Sequence, residues 1–282
     1  YVKMVERAQT SHLPDPFDTT SIEQGIGVYY TNLILGGIDF AIIEDRKFKS
    51  GPKGKIPQQG PRPDHIRNPN YDPKSVDVEG LTLLGERQLY FLEKWGSSKE
   101  KSIMKCVLSQ TGFCGGAHLH GSKDNRLHAD MDSNGWPQSG RNKALKLIKK
   151  ANAIHVGGDQ HISTVIQHGI EKYEDGPWAF IVPAIVNDYY SRWWWPENKI
   201  NNEIKNSKKL PWTGRYLDGF NNKITMHAYA NPDTDSNGAG YGIIKFNKKT
   251  NSVTFECWPR FQNIKLNSAK QFKGWPITVS LN

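Results

Sequence analysis

Asp159 and His161 are the residues whose types and spacing most directly offer chemistry. They stand two apart in the stretch 153–163, Ala-Ile-His-Val-Gly-Gly-Asp-Gln-His-Ile-Ser. A carboxylate oxygen and an imidazole nitrogen at that spacing suit a hard or borderline divalent or trivalent metal ion. The stretch opens as a short apolar strand, and Gly157 and Gly158 are expected to break it and let the backbone turn sharply. A strand that ends in glycines and then presents Asp and His is a common construction for hydrolytic metal sites. The competing account has Asp159 capping the next segment and His161 as a satisfied loop histidine.

A second concentration of titratable groups lies upstream, in 110–137. It holds Gly112, Gly115, Gly116 and Gly121 among His118, His120, His128, Asp130 and Asp132. Grouped within fifteen residues, these three histidines and the aspartates Asp130 and Asp132 favour a site loop over incidental surface histidines. His118, His120 and Asp132 are the residues expected to approach Asp159. Arg141, at the start of the next helix, is placed to steady an acidic ligand or a phosphate oxygen. Cys114 lies in the same loop, where a ligand or redox role stays open. Cys106 sits in an apolar run and reads as core.

These groups need elements to position them. Residues 103–109 read as a buried strand, 141–151 as a helix with Ala144, Leu147, Ile148 and Ala151 on one face, and 153–156 as the next strand. Two strands joined through one helix favour parallel neighbours with their loops at one edge. Upstream, 27–35 and 38–44 are two β-rich runs joined by Gly36-Gly37, a hairpin signal. The stretch 49–73 is rich in Pro, Gly, Lys and Arg and reads as a long exposed loop. In 84–95, Leu84, Gln88, Phe91, Leu92 and Trp95 recur at helical spacing. Downstream, 164–167, 178–186 and 223–230 read as strands, 241–246 and 252–258 as a second hairpin, and 275–281 as a last strand. The aromatic, basic stretch 187–219 has no clear period and reads as a flap over a pocket, with the Trp193–Trp195 cluster packed beneath a loop. Residues 1–24 read as the tail of an earlier element followed by a linker. Strands outnumber helices, so the expected fold is α/β, a mixed-sheet β-sandwich flanked by helices, in one domain that is β-rich from about residue 220.

Composition bounds the partners. The 282 residues include 37 basic and 28 acidic side chains, a net charge of +9, which draws anionic partners. The charge is spread in small groups such as Lys146, Lys149 and Lys150, with no nucleic-acid-binding signature, so a solvated basic face is preferred and no specific nucleic-acid partner is expected. There is no run of 18 apolar residues and hence no membrane span, and no apolar signal region follows Tyr1. Three cysteines without a paired motif are not a disulfide framework.

Four segments together resemble the PhoD-type alkaline phosphatases of the calcineurin-like metallophosphoesterase superfamily. Residues 38–48, Ile-Asp-Phe-Ala-Ile-Ile-Glu-Asp-Arg-Lys-Phe, look like that family's strand followed by Asp-Arg. Leu84-Gly85-Glu86-Arg87-Gln88 resembles its helix start, and 130–141, Asp-Met-Asp-Ser-Asn-Gly-Trp-Pro-Gln-Ser-Gly-Arg, is similar to its Asp-x-Trp-x-Gly-Tyr-Pro-x-x-Arg segment. Gly158-Asp159-Gln160-His161 looks like its Gly-Asp-x-His. The resemblance covers roughly residues 20 to 190 in order and spacing. It implies a phosphate mono- or diester substrate, a secreted or periplasmic enzyme, and a cluster of iron, calcium or zinc with Asp159 and His161 as its last two ligands. The superfamily's earlier motifs, a first Asp-x-His, Gly-Asp-x-x-Asp and Gly-Asn-His, do not occur upstream of Gly158. Asp64-His65 sits in the Pro-rich loop without a preceding strand and is not counted as one of them. The expectation is therefore the C-terminal part of a longer enzyme, inactive alone. The alternative is a non-enzymatic module whose basic, Trp-rich surface binds a glycan or another anionic polymer.

Overall fold

The computed structural model describes residues 1–281 except 69, 99–103, 117–118, 121–126, 186–190, 194–198, 202–209 and 231–237; the side chains of 119–120, 191–192 and 199–201 also lie outside the described set. In chain order the elements begin with α1 (Val2–Thr10), β1 (Thr31–Leu35), β2 (Ile38–Ile42), β3 (His65–Ile66), α2 (Gly85–Gly96), β4 (Met104–Thr111), β5 (Leu119–His120) and β6 (Ala129–Asp130). Next come α3 (Gln138–Lys150), β7 (Ala153–Gly158), β8 (Thr164–His168), β9 (Trp178–Ile181), β10 (Ser191–Arg192), β11 (Lys199–Asn201) and β12 (Gly214–Leu217). The chain closes with β13 (Lys223–Tyr229), β14 (Gly240–Asn247), β15 (Ser252–Pro259) and β16 (Ile277–Ser280).

Nine strands form one mixed sheet in the order β1-β2-β4-β7-β9-β8-β13-β12-β11. β2, β4, β7 and β9 are mutually parallel, and the strands outside them are antiparallel. A three-stranded antiparallel sheet, β14-β15-β16, covers one face. Ile38, Cys106, Ile154 and Phe180 share a core cluster with Val253, Phe255 and Val279 of the small sheet. Alternate residues on the same strands, Ala41, Val107 and Ala153, pack against Phe91, Leu92 and Trp95 of α2 and Ala144, Leu145 and Ile148 of α3. Both faces of the central strands are thus covered, which explains their nearly continuous apolar runs. The result is a β-sandwich of unequal sheets with helices on the outer face, the architecture expected from the pattern of runs.

The differences are local. β7 continues through both Gly157 and Gly158 instead of breaking there. A Cβ on Gly157 would lie 3.1 Å from the Thr111 carbonyl, so this glycine admits a close strand neighbour rather than a turn. The strand expected over 178–186 ends at Ile181. The stretch 187–219 is not a patternless flap: β10, β11 and β12 lie in it, and Trp193 is fully buried. Within 1–24 there is a helix, α1, none of whose residues is buried.

Candidate functional site

The parallel strands deliver their carboxyl ends to one edge of the large sheet, the usual place for sites in α/β folds. Asp45 follows β2, Gly112 follows β4 and Asp159 follows β7. The first of these ends is fixed by Gln88, the one buried polar residue on the apolar stripe of α2. Its Oε1 accepts the Glu44 N–H at 2.8 Å, and its Nε2 donates to the Glu44 carbonyl at 2.5 Å and to the Leu84 carbonyl at 2.9 Å. A helix side chain thereby satisfies backbone groups that the strand end leaves open.

Asp159 and His161 both hold left-handed backbone, with φ of 69° and 53°. That region costs a residue with a Cβ on the order of 1 kcal/mol, and two such residues in one turn mark a position held by its surroundings. Asp159 is exposed and His161 half-buried. Between them, Gln160 N–H donates to the Gly158 carbonyl at 2.8 Å, and Gln160 Nε2 donates to Thr111 Oγ1 at 3.1 Å. Thr111 pairs with Gly158 across β4 and β7. The Asp-Gln-His turn therefore leans against the end of β4.

The 130–136 segment reaches the same strand ends from the other side. Asn134 N–H donates to the Gly112 carbonyl at 3.0 Å, and its Nδ2 donates to Asp45 Oδ2 at 2.5 Å. Asp45 is fully buried and also accepts the Thr111 N–H at 3.1 Å. Arg46 Nη1 donates to both the carbonyl and Oδ1 of Asp132 at 2.9 Å, and its Nη2 donates to Asn134 Oδ1 at 2.7 Å. Lys49 Nζ donates to the Asp132 and Ser133 carbonyls, each at 2.7 Å. Burial, with Arg46 beside it, pushes the Lys49 ammonium down to about 7 against the opposing pull of Asp132 and Asp45. Asp132 thus sits one hydrogen-bonded step from the strand ends, its carboxylate largely exposed.

α3 starts at Gln138, so Arg141 lies within its first turn and is enclosed in the core. Its guanidinium donates to the carbonyls of Phe113 at 2.7 Å and Gly169 at 3.0 Å, and to Asn142 Oδ1 at 2.7 Å. In this arrangement Arg141 ties the chain after β4 to the end of β8 and does not face solvent. His118 lies outside the described residues. His120 is placed only by its backbone, which pairs with Ser191. Cys114 is buried, and burial with Asp218 nearby pushes its thiol up to about 12, which keeps it protonated at neutral pH.

Sequence reasoning passed over Asp64 and His65, which the structure brings together with Asp130. His65 lies in a short strand, β3, and stands directly opposite Asp130 of β6. Asp64, His65 and Asp130 each offer a ligand atom, and the three atoms lie within 4.8 Å of one another. Among the described residues this is the grouping of three potential metal ligands, and neither Asp159 nor His161 belongs to it. The signal available beforehand was an Asp-His dipeptide and an Asp sixty-odd residues apart, which only the β3–β6 pairing joins.

No helix among the described residues is long and apolar enough to cross a membrane. No family model matches the sequence, and no curated protein matches it. Among solved structures the chain is similar to one described as the structure of PhoD, with a TM-score of 0.57, 13% sequence identity and coverage of 98% of this chain. This chain spans 46% of the length of that one. The likeness shows that the fold is PhoD-like.

Proposed function

We propose that the chain forms part of a metal-dependent phosphoesterase acting on phosphate mono- or diesters, with Asp159 and His161 as metal ligands. The observation that carries the reading is the pair of left-handed residues, Asp159 and His161, at the carboxyl end of β7 in a PhoD-like fold. A carboxylate and an imidazole fit a hard or borderline cation such as iron, zinc or calcium, the last with help from oxygen donors. Bound there, such a cation would polarise a phosphoryl oxygen and lower the pKa of a water. The chain's own residues have separate tasks. Gln160, bonded to Thr111, holds the turn against β4. Asn134 and Asp45 fix the neighbouring strand end, and Arg46 steadies Asp132 at the rim. His118 and His120 remain proposed contributors from the loop after β4. By the same resemblance, we propose a secreted or periplasmic location.

Two donors do not hold a multi-metal cluster, whose charges need several anionic ligands to bring them together. The reading therefore expects little hydrolysis by the 282-residue chain alone. The test assays an aryl phosphate monoester and diester, with added iron, zinc or calcium, for this chain and for the longest form of the protein encoded around it. Metal-dependent hydrolysis that is lost in Asp159→Ala and His161→Ala supports the proposal. Hydrolysis unchanged in both variants, or none in any form, overturns it and leaves the anion-binding module as the better account of the basic surface.

A further inference from the structure

We propose that Asp64, His65 and Asp130 bind one divalent transition cation, of the zinc or manganese class, and that this ion clamps the 49–73 loop to the segment carrying Asp132 and Asn134. The inference does not depend on whether the sheet edge hydrolyses phosphate esters.

Geometry comes first. The three ligand atoms lie within 4.8 Å of one another. Two ligands on opposite sides of a zinc ion stand about 4.4 Å apart at most, twice a bond of about 2.0–2.2 Å. Three donors cannot all stand opposite one another, and around a tetrahedral zinc ion they lie about 3.4 Å apart, so closing the set takes side-chain shifts of up to about an ångström. The donor chemistry is one imidazole and two carboxylates, the set used for zinc, manganese and ferrous iron. Calcium and magnesium prefer oxygen alone.

The site is also built by the backbone, from two segments distant in sequence. His65 and Asp130 are direct cross-strand partners, and Asp64 precedes this pair. On either side, the Met131 N–H donates to the Asp64 carbonyl and the His128 N–H to the Ile66 carbonyl, both at 2.8 Å. The Asp64 and His65 side chains are only 18% and 13% exposed, so two carboxylates and an imidazole converge at a partly shielded place. Asp130 Oδ1 accepts the Asp132 N–H at 2.9 Å, which orients the carboxylate. Arg62 pairs with Asp64 at 3.2 and 2.9 Å, but it is mostly exposed and can turn to water when a cation arrives.

The consequence follows along the chain. Two residues after Asp130, Asp132 and the following Ser133 and Asn134 hold Arg46, Lys49 and Asp45. An ion that fixes Asp130 against His65 therefore fixes the rim of the sheet edge as well.

The test equilibrates the chain with Zn2+, removes free ion by gel filtration and counts bound metal. Expected is the loss of one equivalent in His65→Gln and in Asp130→Asn, together with the zinc-induced rise in Tm, while the Asp159→Ala/His161→Ala double variant keeps both. Because a variant can fail to fold, wild-type protein is also titrated with Mn2+ and followed by NMR, where the His65 ring signals should broaden by one equivalent. Equal metal content in the wild type and both variants, or His65 signals untouched by Mn2+, overturns the proposal. So does loss of the stabilising equivalent from the Asp159/His161 variant instead.

Discussion

Acid should unfold this protein well above the pH at which carboxylates titrate, and His155 and His168 are the reason. Both are fully buried beneath the helices. His155 Nε2 lies 2.6 Å from Ser109 Oγ, and the Ser109 hydroxyl donates to the Thr111 carbonyl at 2.7 Å. With its single hydrogen spent there, Ser109 accepts, so His155 carries its proton on Nε2 and leaves Nδ1 a bare acceptor with no hydrogen-bond partner. The ring packs edge-on against Phe113 at 4.8 Å. A second proton would place a charge in this apolar pocket, and burial holds the His155 pKa down at about 3. His168 is held well below its ordinary value by burial, then by Arg141 and His155. Both histidines bind fewer protons folded than unfolded. Their stabilising contribution is therefore complete above the unfolded value of about 6.5 and is lost as the pH falls below it. Between pH 7 and pH 5 His155 should cost about 2 kcal/mol, a sizeable share of an ordinary domain's 5–15 kcal/mol, and His168 adds to the loss. Urea unfolding at both pH values measures the difference. In His155→Phe, which keeps the ring packing against Phe113, the loss between the two pH values should shrink by about 2 kcal/mol. An unchanged pH dependence in that variant, or an NMR titration of the His155 ring near 6.5, refutes the argument.

Three further outcomes are expected. Asp159→Gly and His161→Gly should hold or raise stability by up to ~1 kcal/mol, because glycine takes left-handed backbone without strain, while metal-dependent hydrolysis by the longer form falls; a clear drop in the urea midpoint would show that the turn is not strained. Asn134→Ala should cost roughly 2–3 kcal/mol in urea unfolding, since it strips a donor from buried Asp45 and an acceptor from Arg46; a loss under 0.5 kcal/mol would mean that water replaces it at about the cost of a surface change. Leu35→Lys on the edge strand β1, where Ile34 and Leu35 are both exposed, should reduce concentration-dependent light scattering, because a charge on an edge blocks strand addition; unchanged scattering would place association elsewhere.

What the sequence made legible was whatever is written in consecutive residues. The hairpin at Gly36 and Gly37 forms with both glycines at positive φ, as a two-residue connection requires. The stripe through Gln88, Phe91, Leu92 and Trp95 is the buried face of α2. The parallel adjacency of β4 and β7, bridged by α3, follows from chain order and the crossover rule. Where the reading failed, the deciding partner came from far along the chain. α3 begins three residues before Arg141 because Asp77 caps it from a remote loop, accepting the Ser139 N–H and hydroxyl, each at 2.9 Å. Gln138, Ser139 and Gly140 carry no apolar signal of their own, so periodicity starts late. β4 runs on to Thr111 because Gly158 is there to pair with it.

The same distinction governs the two groups of possible metal ligands. Asp159 and His161 could be named because Gly-Asp-x-His is a contiguous pattern, although nothing contiguous discloses the left-handed backbone at both. Asp64, His65 and Asp130 could not, since their assembly depends on a two-residue ladder between segments with no strand-like alternation. Such a ladder is too short to hold by itself. It forms because Ile66, Ala129 and Met131 are buried in a third core cluster with Val76, Trp136 and Phe220, next to the aspartates and the histidine. Trp136 is anchored in turn by its indole N–H, which donates to the Val76 carbonyl at 2.5 Å. Burial of each large apolar side chain stabilises by about 1.5–3 kcal/mol, enough to hold so short a ladder in place. The polar cluster is therefore held together from below by apolar packing, and a cation bound above it would add a second tie between the same two segments.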